Sequence, residues 1–104
     1  MAQRIIVLFN LQEGYTAEDY ERWARDKDIP GVNGLGSVDS FEVFRSEGLL
    51  FAESDPPYQY IEILDINDME QFGADASQAH MQAIAGEFQN DIARDLVFIN
   101  VSKL

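Results

Sequence analysis

Ile5-Ile6-Val7-Leu8-Phe9-Asn10-Leu11 is an apolar run rich in β-branched and aromatic residues. It is too short for a helix of ordinary length and is closed by Gln12-Glu13-Gly14, so it reads as a buried strand. Ile5, Val7 and Phe9 would face one side of a sheet, and Ile6, Leu8 and Asn10 the other. Leu96 to Val101 repeats the pattern: Val97, Ile99 and Val101 alternate with Leu96, Phe98 and Asn100. Outer strands that are apolar on both faces require a sheet covered on both faces. Helices can cover one. A second subunit is the expected cover for the other, because a bare apolar face of that size invites association.

Between these strands the chain alternates in kind. Thr16 is placed as a helix N-cap, with Asp19 at the capping-box position. Ala17, Tyr20, Trp23 and Ala24 share one helical face. Pro30 is expected to end this helix, and Pro30 to Gly36, with three glycines, to form a loop. Val38 to Arg45 alternates as a strand, with Phe41 and Val43 on one side and Glu42 and Phe44 on the other. A long polar connection, Ser46 to Pro57, leads to a third strand at Tyr58 to Leu64. Asn67 to Phe72 suggests a short helical turn, and Ser77 to Phe88 a second main helix with Ala76, Ala79, His80, Ala83, Ile84, Glu87 and Phe88 along one stripe. The order β-α-β-β-α-β predicts an α+β, ferredoxin-like domain over residues 1–104, with an antiparallel sheet and both helices on one face.

Composition narrows the function. The 104 residues carry seven basic and nineteen acidic side chains, a formal net charge of −12. Such a surface repels phosphate backbones and anionic membrane faces, so neither nucleic acid nor membrane is an expected partner. There is no cysteine, which excludes disulfides and thiol chemistry and fits a reducing cytoplasm. Met1-Ala2-Gln3-Arg4 runs straight into the first strand and does not read as a leader. No phosphate-binding glycine loop, metal-ligand spacing or nucleophile elbow is present, so no cofactor and no metal are expected.

The remaining candidates are acid–base and aromatic groups. His80, the only histidine, lies on the stripe of the second helix, where it could enter an interior pocket as an acid or base. The plain alternative is a histidine satisfied by a neighbouring carbonyl or carboxylate. Asp28 sits near the expected end of the first helix, where the dipole disfavours a carboxylate, and a local cost without structural gain points to use. Tyr20 and Trp23 share its helix and would supply ligand-stacking walls with Phe41 and Tyr60, although aromatics at such spacing also build cores. Asn10, Glu62 and Asn100 interrupt apolar strands. Amides on neighbouring strands could bond a ligand or each other, and a buried Glu62 would need a partner or a raised pKa. The opposing reading places all three at a solvated rim.

Tyr20-x-x-Trp23, Asp28-Ile29-Pro30-Gly31-Val32 and the Ser77–Phe88 helix carrying His80 resemble the REDY-like proteins of prodigiosin-type pigment pathways, within the dimeric α/β-barrel superfamily. The resemblance covers nearly the whole chain. It implies a homodimer with sheets packed face to face, and a role in making tripyrrole pigments or related aromatic metabolites. EthD-like members of the superfamily often carry histidine before the x-Pro step after the first helix. This chain has Asp28 there, so a histidine mechanism does not transfer directly. Three functions follow: a cofactor-free cyclisation or condensation protein acting on an aromatic or pyrrolic molecule through Asp28 or His80, a non-catalytic carrier or assembly helper for a pathway enzyme, and a cofactor-independent monooxygenase.

Overall fold

The computed structural model describes residues 3–104; Met1 and Ala2, read above as the lead-in to the first strand, lie outside it. The elements are β1 (Gln3–Leu11), α1 (Ala17–Trp23), α2 (Ile29–Asn33), β2 (Val38–Arg45), β3 (Tyr60–Ile66), α3 (Met69–Ala76), α4 (Ala79–Glu87) and β4 (Ala93–Val101). The four strands form one antiparallel sheet in the order β2-β3-β1-β4. The helices all lie on one side, giving the ferredoxin-like arrangement that the alternation of elements predicts.

The side-chain alternation also holds. Val7, Phe9 and Leu11 of β1 are buried beneath the helices, with Phe41 of β2 and Tyr60, Glu62, Leu64 and Ile66 of β3 on the same face. Phe9, with no exposed surface, meets Tyr20 and Phe88 edge-on and stacks on Tyr60. The outer face carries Ile6, Leu8, Ile61, Ile63, Val97, Ile99 and Val101, with Phe44 beside Ile61, and no element among the described residues covers it.

Two local expectations change. Thr16 caps α1 as expected, accepting from the Asp19 amide at 3.1 Å. Pro30, however, does not end the helical run. A π-helical turn over Ala24–Asp28 joins α1 to α2, and the Ile29 amide donates five residues back to Ala24. That register step removes the need for an amide at Pro30, which then occupies the first turn of α2 without a lost bond. The expected loop at 30–36 is thus helical as far as Asn33. Gly31 lets this segment approach α4, because a Cβ there would stand 2.9 Å from Ile84 Cδ1. A second π-turn, Phe88–Ile92, follows α4, with the Ala93 amide donating to the Phe88 carbonyl. The helical turn expected at 67–72 is α3, capped by Asp68, whose side chain accepts from the Gln71 amide.

Asn33 closes the edge of the sheet. β2 has β3 on one side only, so its outward backbone groups need partners. Asn33 Nδ2 donates to the Phe41 carbonyl and Asn33 Oδ1 accepts the Phe41 amide, each at 3.0 Å. One side chain thus imitates a strand neighbour and ties α2 to β2. Replacing Asn33 with Ala should lower the unfolding free energy by about 1–2 kcal/mol in a urea titration. Asn33→Asp, which keeps the acceptor and loses the donor, should fall between Ala and the wild type.

Candidate functional site

The space between the helices and the sheet contains a cavity of about 200 Å³. Ile5 and Val7 of β1, Phe41 of β2, Leu64 of β3 and Phe98 of β4 form its sheet side. Val32, Phe72, Met81, Ile84 and Phe88 form its helical side. Two carboxyl groups, Asp28 and Glu62, enter this apolar wall. They come from opposite layers. Asp28 is the last residue of the first π-turn, whose buried residues are Ala24 and Asp28. Glu62 is at the middle of the central strand β3, in register with Val7 on one side and Val43 on the other. Both are almost fully buried, at 6% and 5% relative exposure.

Burial sets their ionisation. Desolvation pushes Asp28 from the usual carboxylate range up to about 7, while a hydrogen bond from Glu62 pulls the other way. Burial and the charge of Asp28 together push Glu62 well above its ordinary value. Both carboxyl groups are thus pushed toward the protonated form. The two behave as one titrating pair, because two charges so close in an apolar site cannot both form. The Tyr20 hydroxyl donates to Glu62 Oε2 at 3.4 Å from inside the core. The resulting chain runs from Tyr20 through Glu62 to Asp28, and both carboxyl groups border the cavity.

Of the other expected site residues only Phe41 also borders this cavity. Trp23 lies behind it, stacked on Phe88 with ring planes 9° apart, and its Nε1 is buried without a hydrogen-bond partner. Tyr60 turns to a different recess, lined also by Glu21, Arg25 and Arg45, where its hydroxyl donates to Glu21 Oε2 at 2.7 Å. Arg45 first and then Tyr60 hold the Glu21 carboxyl down at about 2, and burial followed by that bond raises the Tyr60 phenol to about 12. This cluster clamps α1 to the β2–β3 edge.

His80 does not enter the interior. It is exposed at the start of α4 and borders an open surface recess with Pro30, Gly34 and Gln78. The buried side of α4 runs through Met81, Ile84 and Phe88, so the expected stripe is turned by about one residue, and His80 falls outside it with the exposed Ala79 and Ala83. Asn10 and Asn100 lie on neighbouring strands but do not meet. Asn100 pairs with Ile5 at one end of β1, and Asn10 with Arg94 near the other. Asn10 instead secures the long connection, donating to the Pro57 carbonyl at 3.1 Å and accepting the Gln59 amide at 2.9 Å. Asn100 is exposed.

Sequence reasoning missed Ile5, Val32, Met81, Ile84, Gln89 and Phe98 as cavity walls. Phe98 alternates with Val97 in an apolar strand, and no periodicity marks which half of that strand overhangs a void. Among the described residues no cluster of three or more His, Asp or Glu side chains is placed to hold a metal ion. No helix among them is long and apolar enough to cross a membrane.

Comparison with known proteins places this architecture. The chain is similar to HapK from Hahella chejuensis, at 25% identity and a TM-score of 0.78, over 100% of this chain and 93% of that one. It shares its fold with an ethyl tert-butyl ether D (EthD) family protein from Bacillus halodurans, at 13% identity and a TM-score of 0.70, over 100% of both chains. It also shares it with a dimeric ferredoxin-like protein of unknown function from Thermobifida fusca, at 18% identity and a TM-score of 0.69, over 99% of this chain and 92% of that one. No curated protein matches the sequence. Residues 3–104 match the family described as REDY-like protein HapK, and the chain belongs to that family.

Proposed function

We propose that this protein binds an aromatic or pyrrolic intermediate of prodigiosin-type metabolism in the cavity beneath its helices, and that Asp28 moves a proton there. The observation that carries this reading is the pair of buried carboxyl groups facing an apolar void. A carboxylate with its pKa raised to about 7 is matched to proton transfer at neutral pH. Glu62 would hold Asp28 in place and accept or return the proton, and Tyr20 would orient Glu62. The apolar walls would exclude water from a cyclisation or condensation step. Membership of the REDY-like family supports the pyrrolic ligand. The monooxygenase and carrier functions use the same cavity without needing the shared proton. The absence of cysteine is in keeping with a cytoplasmic setting.

The reading includes a homodimer. Its support is the uncovered apolar outer face of the sheet and the dimeric state in the description of the Thermobifida relative. Sedimentation should report twice the chain mass. A Leu8→Lys/Ile61→Lys double variant, which charges that face, should sediment as a monomer; an unchanged dimer would place the interface elsewhere.

Incubation of the purified protein with pyrrolic pathway intermediates, compared with a protein-free control, tests the chemistry. Asp28→Asn should slow product formation by about 100-fold or more, the usual range for a lost acid–base group. His80→Ala, outside the cavity, should leave the rate within about twofold. An Asp28→Asn protein as fast as the wild type would rule out the proton-transfer role. Unchanged intermediate that survives longer with protein than without would identify a carrier.

The pair also predicts a pH-dependent stability. A carboxyl whose pKa is raised on folding binds its proton more tightly in the native state, so it destabilises the protein as pH rises from its unfolded value toward about 7. Melting temperature should therefore fall between pH 5 and pH 8. Asp28→Asn should flatten that slope and be more stable than wild type at pH 8 by about 1–3 kcal/mol. A slope unaffected by the substitution would show that Asp28 titrates normally.

A further inference from the structure

The cavity wall has only one sign of charge. Asp28 and Glu62 are the ionisable residues that line it, and Gln89 is the one further polar side chain; no Lys, Arg or His reaches it. Groups that face the pair from the surrounding elements are equally uncharged. Tyr20 of α1 donates to Glu62, and Tyr60, next but one on β3, lies edge-on to Tyr20 at 4.7 Å. Six of the seven basic side chains are engaged at the surface: Arg4 with Asp65, Arg22 with Glu18, Arg25 and Arg45 with Glu21, Lys27 with Glu87 and Arg94 with Asp95; the seventh, Lys103, is exposed beyond the end of β4. A carboxyl pair with one proton thus leaves a buried negative charge in an apolar wall with no counter-ion among the described residues. An unpaired buried charge is costly, and a ligand that supplies the missing cation offsets that cost.

We infer that this cavity selects flat aromatic ligands that bear a positive charge on an N–H group, and that it rejects carboxylates of the same shape. Amidinium-like and protonated heterocyclic nitrogens fit, because they pair charge with donors aimed at the Asp28 carboxylate. Geometry makes the discrimination strong in both directions. Both carboxyl groups are almost fully buried, so water screens an anion brought against them only weakly. The inference rests on the cavity being the ligand site and is independent of any proton transfer.

Benzamidinium, benzamide and benzoate share one shape and differ in charge, and their binding can be measured by calorimetry or ligand-observed NMR. The measurement belongs at pH 8 and high salt, which screens the acidic surface. Benzamidinium should bind at least about tenfold more tightly than benzamide, with benzoate weakest. The preference should shrink below pH 6, where Asp28 takes up a proton while benzamidinium stays charged. Asp28→Asn should abolish the preference but retain benzamide, and Val32→Phe, which enlarges a buried wall residue, should abolish all binding. Equal binding of the three probes overturns the charge selection and leaves the ligand cavity standing. Tightest binding of benzoate overturns it too, as does a benzamidinium affinity unchanged by both substitutions. Failure of every probe to bind overturns both the selection and the ligand cavity.

Discussion

Two carboxyl groups inside a small hydrophobic core are the constraint around which this structure is organised. A buried ionised carboxylate is expensive, and two side by side are more so. The fold answers by placing Glu62 on the central strand, Asp28 opposite on the helical layer and the Tyr20 hydroxyl against Glu62, so that one proton serves the group. Apolar residues in these positions would make a more stable core. A polar pair kept at the edge of a cavity is a local stability cost at the place where a ligand would sit.

The backbone makes the same exchange. Both π-turns border the cavity: the first ends in Asp28, and the second begins with Phe88 and Gln89. A π-turn is less favourable than a continued α-helix, and such turns occur often at functional sites because the widened register redirects a side chain. Here it turns Asp28 inward and lets the helical run continue through Pro30. Gly31 then brings α2 close to Ile84, setting the height of the cavity roof.

Much of this was legible in the chain. Alternation in Ile5–Leu11 and Val38–Arg45 identified the strands and their faces, because side chains in a strand have a period of two. Thr16 announced α1 through its capping chemistry. Asp28 drew notice because the helix was expected to end there, although the helical run continues past it to Asn33, and Glu62 stood out as a charge in an apolar strand. Other features had no local signal. Pro30 ends helices in most settings, and only the i→i−5 bond from Ile29 to Ala24 removes the reason. His80 sits on an apolar stripe by spacing, yet the small alanines of α4 fit two neighbouring stripes, and the buried one runs through Met81, Ile84 and Phe88. Asn10 looked like a ligand group and instead holds a loop, because the strand that it interrupts runs past Pro57 and Gln59.

The sequence by itself determined the order of elements, the two apolar faces of the sheet and the identity of the unusual polar residues. These depend on periodicity, capping and composition, all of which act between near neighbours. Only the tertiary structure decided which of those residues meet. Asp28 and Glu62 are far apart in the chain, and they face one cavity because helix packing brings a π-turn over an inner strand. The same packing sends Tyr60 to Glu21 and His80 to the surface. Pairing across layers depends on register and crossing geometry, which no local pattern encodes.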